Sequence, residues 1–158
     1  SNSFANSWSW ISDRIMLSLA SESAGGASTI LEKTVAYTKE RVQFGKTIAS
    51  YQAIKHKCAD LLTQVESAKT LTYYAAWALS DAGLDSSDEA SIAAAMAKSY
   101  TTDAYKTCTA EAIQTHGAIG FTWEMPIHLY YKRARANAVS IATSNQLRDN
   151  LIQKVVAA

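Results

Sequence analysis

Residues 86–116 read SSDEASIAAAMAKSYTTDAYKTCTAEAIQTH. The run opens with Ser86-Ser-Asp-Glu89, a hydroxyl with a carboxylate three residues later, the pattern of a capping box. No glycine or proline interrupts the stretch from there to His116. Ile92, Met96, Tyr100, Ala104, Cys108 and Ile113 recur at helical spacing and form the expected inward face. Gly117 and Gly120 then break the pattern. One long helix ending at about His116 is the expectation.

The flanking stretches carry the same period. A second helix is expected from about Tyr51 to Ala82, with Ile54, Cys58, Leu61, Val65, Ala68, Ala75 and Leu79 inward and Gly83 as its stop. The first helix is expected from about Ser12 to Arg41, on a stripe of Ile11, Ile15, Leu19, Ala27, Leu31 and Val35. Gly25-Gly26 lies inside it. Each helical glycine costs about 1 kcal/mol, so the pair should mark a kink or a close packing contact. Arg41-Val-Gln-Phe-Gly45 should end the helix, with Gly45 as the stop. Pro126 suits the first turn of a short helix to Ala138. Thr143-Ser-Asn-Gln146 is a second capping box and opens a last helix to about Val156.

Composition agrees. The 158 residues include 28 alanines but only 6 glycines and 1 proline, too few turn residues for a sandwich or barrel. The expected fold class is all-α, an antiparallel four-helix-type bundle of three long and two short helices. Residues 1–10 read as an N-terminal extension or cloning remnant and 11–158 as the bundle. The formal net charge is +1, without the clustered basic face of a nucleic-acid binder. No apolar run reaches the ~18 residues of a membrane span. The start lacks a basic n-region and an apolar h-region, so no signal peptide is expected, and the chain reads as a piece of a longer protein. Cys58 and Cys108 are expected as free buried thiols of a reducing, cytoplasmic compartment.

The three histidines, His56, His116 and His128, show no metal-ligand spacing. Glu111 and His116 are five apart and face different directions. No metal is expected. Lys132, Arg133 and Arg135 read as a solvated helix face.

Three segments together resemble the C-terminal helical domain of the acyl-CoA dehydrogenase family, in its bacterial branch. They are Arg41-Val-Gln-Phe-Gly-Lys46 with Tyr51-Gln-Ala-Ile-Lys-His-Lys-Cys-Ala-Asp60, then Ala112-Ile-Gln-Thr-His-Gly-Ala-Ile-Gly-Phe-Thr-Trp-Glu124, then His128-Leu-Tyr-Tyr-Lys-Arg-Ala134. The resemblance runs from about Asp13 to Val156. It implies α,β-dehydrogenation of acyl-CoA thioesters in fatty acid metabolism, FAD as cofactor, and N-terminal and middle domains that this chain lacks. It also implies an electron-transfer flavoprotein as acceptor and a homodimer or homotetramer.

By the same resemblance, Arg41 and Gln43 address the pyrophosphate of a neighbouring subunit's FAD, Phe44 packs on the cofactor, and Gln52 lies near its adenosine half. Gln114, Gly117 and Ala118 correspond to the adenine end, with Ala118 where the family usually has glycine. Thr143 and Asn145 match flavin contacts at a helix N-terminus. Taken from the residues alone, Arg41 is a helix C-terminal cation, Phe44 is core, Gln114 is surface and Thr143 is an N-cap.

One departure matters. The family's catalytic glutamate falls at Ile141, within Ser140-Ile-Ala-Thr-Ser-Asn145, and a minority place it at Ile15. Isoleucine cannot take a proton, so the catalytic residue is left unassigned. Asp13, Glu124 or a residue outside the chain could substitute. The chain could instead be a non-catalytic partner subunit of a heteromer, or a flavin monooxygenase of the same fold.

Overall fold

The computed structural model describes residues 2–80 and 87–157. Its elements in chain order are α1 (Asn2–Glu40), strands β1 (Val42–Gln43) and β2 (Lys46–Thr47), α2 (Gln52–Ala78), α3 (Ser87–His116), α4 (Ile127–Val139) and α5 (Ser144–Ala157). A 3-10 turn over Ile48–Ser50 leads into α2, and another over Gly117–Phe121 comes after α3.

Helix α3 is the axis on which α1, α2, α4 and α5 all pack. It accepts them because its buried positions are small: Ala93, Ala94, Ala97, Thr101, Thr102, Ala104, Cys108, Thr109 and Ala112. Helix separation is set by the side chains at the contact, so these let the neighbours approach closely. The buried hydroxyls return to carbonyls of their own helix. Thr102 Oγ1 donates to Lys98 O at 2.8 Å and Thr109 Oγ1 to Tyr105 O at 2.9 Å. Thr34 does the same on α1 and Thr72 on α2. These hydroxyls are therefore not left dry by the packing.

The inward face of α2 is as expected at Leu61, Val65, Ala68 and Ala75. On α1 the buried apolar residues are Met16, Ala20, Ala24, Ala27, Ile30 and Leu31, so Ile11 and Ile15 are corrected to exposed positions. Met96 on α3 is exposed as well. In the first half of α1, Asp13 and Met16 take the inward positions, Asp13 on Ser91 and Met16 against Ala94 and Ala95 of α3, and their neighbours Ile11 and Ile15 turn outward. α1 starts at Asn2 rather than Ser12, and α2 ends at Ala78 rather than Ala82. Gly83 and the Ser86 cap lie outside the described residues. Pro126 caps α4, and the second capping box forms, with Gln146 N–H to Thr143 Oγ1 at 3.4 Å and Thr143 N–H to Gln146 Oε1 at 2.9 Å.

Gly45 does not stop a helix. α1 ends at Glu40, and Val42 and Gln43 pair with Thr47 and Lys46 in an antiparallel hairpin. Phe44 and Gly45 form its two-residue turn at φ 53° and 79°, the positive angles of a type I′ turn. Phe44 is 93% exposed at the tip, which excludes a core role within this chain. Cys108 is buried and Cys58 half-buried; both are free thiols. The fold brings them into electrostatic range, and burial pushes the Cys108 thiol up to about 12.

Of the paired glycines, Gly26 is the close contact. A Cβ there would lie 2.5 Å from the ring of Tyr105, whereas one on Gly25 meets nothing within 4 Å. Gly26→Ala should therefore destabilise the protein by about 1–3 kcal/mol through overpacking. Gly25→Ala should stabilise it by about 0.5–1 kcal/mol by removing helical glycine entropy. Denaturant melts of the two variants check this, and equal signs would contradict the assigned packing.

Candidate functional site

The residues singled out in the sequence collect at two ends of the bundle. At the first end, Tyr37 on α1 stacks on His116 on α3, with ring centroids 4.2 Å apart, and its hydroxyl donates to His116 O at 3.4 Å. This contact fastens the root of the hairpin to the end of α3. Arg41, Gln43 and Phe44 project from the hairpin, all exposed, and Tyr51 Oη donates to Gln43 O at 3.1 Å. Arg41 makes no ion pair among the described residues. Gln52, at the start of α2, lies 2.6 Å from His56 through their side-chain nitrogens.

Beside them, Gln114, Gly117 and Ala118 line a cavity of about 330 Å³ that Ile113, Phe121 and Tyr131 also wall. Gly117 has φ 67°, and nothing lies within 4 Å of where its Cβ would be. Burial lowers the pKa of His116 below the ordinary histidine value, against the hydrogen bond its Nδ1 makes to Ala112 O. Glu111 turns to Lys57 on α2, so it shares no site with His116.

The second end is the α4–α5 connection. Ala142 N–H donates to Ser140 O at 2.8 Å, closing a three-residue turn with Ile141 at its apex, φ 65°. A bond across two residues with positive central φ is the rare, strained form of the γ-turn. A β-branched residue in that region is a marked outlier, and such strain gathers at functional sites. The Ile141 side chain is 47% exposed. Met16 packs with Leu147 and Ala142, so Ile15 on α1 and Ile141 sit beside one cluster. Both positions where the base was sought thus open at the same end, and both are apolar.

The two alternative carboxylates are placed differently. Asp13 is buried and takes a 2.5 Å hydrogen bond from Ser91 Oγ on α3. Glu124 precedes α4, whereas Ile141 comes after it; the 13 residues of α4 separate the two by about 20 Å. Thr143 is the N-cap of α5 and its hydroxyl donates to Gln146 Oε1 at 2.9 Å, while Asn145 is exposed in the first turn.

Two features of this end were not singled out in the sequence. Lys98 is fully buried on α3, and its ammonium donates to Ala138 O at 3.1 Å and to Ala142 O. Its spacing from Ala94, Thr101, Thr102 and Tyr105, all on the buried face, was the available signal. Asp103 is the second. Lys106 Nζ at 2.9 Å, Arg148 Nη2 at 2.6 Å and Ser144 Oγ at 3.0 Å surround its carboxylate and tie α5 to α3. Arg133, taken as a solvated cation, forks onto Glu22 of α1.

The two ends are far apart on one rigid element. Ser99 O lies 3.2 Å from Ser144 Oγ, and His116 is 17 residues farther along α3, about 25 Å at 1.5 Å per residue.

The family model for the acyl-CoA dehydrogenase C-terminal domain matches residues 13–156. The chain belongs to the acyl-CoA dehydrogenase family. It is similar to the acyl-CoA dehydrogenase IpdE2 of Mycolicibacterium smegmatis, 42% identical over 129 residues that make up 81% of this chain and 38% of that protein. It is 38% identical to the caffeyl-CoA reductase–Etf complex subunit CarC of Acetobacterium woodii, over 81% of this chain and 32% of the relative. Among solved structures, butyryl-CoA dehydrogenase from Megasphaera elsdenii superposes with a TM-score of 0.86 at 28% identity, covering 94% of this chain and 38% of that one. The chain spans about two fifths or less of these relatives' length. The all-α class is that of the family, with the hairpin as its one departure among the described residues. The family's cofactor is FAD. No described helix is long and apolar enough to cross a membrane.

Burial works against ionising Asp103, but the hydrogen bonds from Lys106, Arg148 and Ser144 outweigh it and hold the carboxyl below its ordinary value. A carboxyl depressed on folding contributes stability that is full above its unfolded pKa and lost as pH falls through the folded one. Asp103→Asn should cost about 1 kcal/mol at neutral pH, discounted for partial exposure. The difference from the parent should shrink as pH drops below about 4. Melts across pH 2–7 measure it, and a difference that grows toward acid would contradict the assigned network.

Proposed function

We propose that this chain is the C-terminal domain of a subunit in a flavin-dependent acyl-CoA dehydrogenase assembly, where it completes FAD sites but supplies no base from its own thioester face. The apolar Ile141 at the apex of the γ-turn, with Ile15 beside the same cluster, carries this reading. Both positions where the family keeps its glutamate are isoleucine, while Asp13 is hydrogen-bonded to Ser91 and Glu124 lies beyond the other end of α4.

The residues fit the cofactor. Arg41 is an exposed guanidinium, a planar fork suited to a pyrophosphate. Gly117 leaves open space for a ligand to approach the backbone, and the cavity beside Gln114 has aromatic walls in Phe121 and Tyr131 for a planar ring. Ala118 lines that cavity with no more than a methyl group. Thr143 and Asn145 stand at the N-terminus of α5, where backbone N–H groups face outward. The two sets are about 25 Å apart along α3, so one chain contributes to two cofactors, its own and a neighbour's. A bound FAD would supply the acceptor for the hydride leaving the β-carbon of the acyl thioester. This chain's part is to position: the hairpin of Arg41, Gln43 and Phe44 reaches a neighbour, while Ile15 and Ile141 exclude water from the thioester.

The α-proton then needs a base from outside this chain, and a partner subunit that supplies it makes the assembly a heteromeric dimer or tetramer. An electron-transfer flavoprotein suits the acceptor role, as the likeness to a CoA reductase–Etf complex subunit supports. Acyl-CoA is the substrate of the assembly.

Anaerobic flavin bleaching by a panel of acyl-CoA thioesters tests this with the full-length protein. Alone, it should react about 10²- to 10⁴-fold more slowly than with its partner subunit, the usual contribution of a positioned base. Ile141→Glu should raise the rate of the lone protein at least ~10-fold, within that same range. Burial disfavours a carboxylate there, so the gained rate should climb with pH as the glutamate ionises. Fast bleaching by the unmodified protein alone would overturn the proposal.

A further inference from the structure

The γ-turn at Ile141 is held from α3, and the holding group is an unusual one. Lys98 is 0% exposed, and no carboxylate is hydrogen-bonded to its ammonium among the described residues. A charge is retained in such a place only when hydrogen bonds satisfy it. The two that do so bracket the strained residue. Ala138 O belongs to the last turn of α4, where carbonyls have no intrahelical partner, and lies three residues before Ile141. Ala142 O lies one residue after it. Ser144, two residues farther on, is fastened to the same stretch of α3 through Ser99 O and Asp103.

We propose that Lys98 is a positioning residue: its ammonium clamps the carbonyls on either side of Ile141, fixing residue 141 in the left-handed conformation and Thr143 at the start of α5. The relevance to the cofactor rests on the proposed function; the clamp itself rests on the geometry alone. An aliphatic side chain of the same length would fill the volume and leave both carbonyls without their donor. The turn would then lose the restraint nearest Ile141, and a β-branched residue relaxes out of positive φ unless its surroundings over-determine it. Glycine adopts positive φ without steric cost, so it should keep the turn when the clamp is gone.

The test uses the full-length protein and its variants Lys98→Met, Ile141→Gly and the pair together. Hydrogen exchange by mass spectrometry over residues 138–146 reads the clamp directly. Lys98→Met should speed exchange there at least ~10-fold, as local opening does when its hydrogen bonds go, while peptides covering 104–116 are unchanged. Equal acceleration along all of α3 would show that Lys98 merely fills space and would overturn the proposal. FAD affinity reads the consequence. Lys98→Met should weaken it several-fold, and adding Ile141→Gly should restore most of the loss. A loss that Ile141→Gly leaves untouched would overturn the positioning role, since packing damage is not repaired by a freer turn. Lys98→Gln, which keeps a shorter donor, should fall between parent and Lys98→Met in both readouts; behaviour identical to Lys98→Met would count against a hydrogen-bond clamp, and this variant serves where Lys98→Met does not fold. If the unmodified protein binds no FAD, the proposed function fails, and the exchange pattern alone still decides the clamp.

Discussion

The close approach of α1 to α3 is the constraint on which the rest depends. Tyr105 can lie against α1 only because Gly26 has no side chain there. Alanines at 93, 94 and 97 and threonines at 101, 102 and 109 continue the thin surface along α3. A helix so lined can be touched on all sides, and four others use it. It also becomes a ruler: what α3 holds near Ser99 and what it holds near His116 are set at a fixed separation. On the proposed function, that rigidity would let one chain carry two cofactor half-sites.

Each half-site uses helix ends and the segments between them rather than helix faces. The hairpin after α1, the 3-10 turn after α3 and the γ-turn after α4 all carry positive φ, at Phe44 and Gly45, at Gly117 and at Ile141. Backbone groups are free to meet a ligand where a helix stops, and the bundle supplies the stiffness that keeps such turns in place. Tyr37 against His116 does this at one end, Lys98 and Asp103 at the other. Residues that sustain the site are therefore often not the ones that face it.

The chemistry of the second end is defined by what its side chains cannot do. On the proposed function, two isoleucines stand where a proton acceptor would be needed, and the neighbouring Asp13 accepts a hydrogen bond from Ser91. An apolar floor under a thioester desolvates it but moves no proton. The turn that would present a carboxylate is nevertheless maintained in its strained form. Retaining the scaffold of the site without its acid–base group fits a chain that works beside another polypeptide.

Helix content and the capping box at Thr143 were legible in the sequence, because each depends on residues within a few positions of one another; the paired glycines marked a close contact, but its partner Tyr105 came only with the fold. So was the family, since its motifs are local runs. The hairpin was not, because two-residue strands are too short for alternation and Phe44-Gly45 is not one of the strongest turn pairs. The inward faces of α1 and α3 were read partly wrongly: Ile15 and Met16 are adjacent, and periodicity cannot choose between two faces of comparable hydrophobicity. The α3 contact chose the one carrying Asp13 and Met16. The buried state of Lys98, the hydrogen bond of Asp13 to Ser91 and the packing of Met16 in one cluster with Ala142 join residues tens of positions apart. Propensity and spacing act over a turn or two of chain, so the sequence by itself determined the helices and their caps. Which faces meet, and hence which side chains share an end of the bundle, was decided only by tertiary packing.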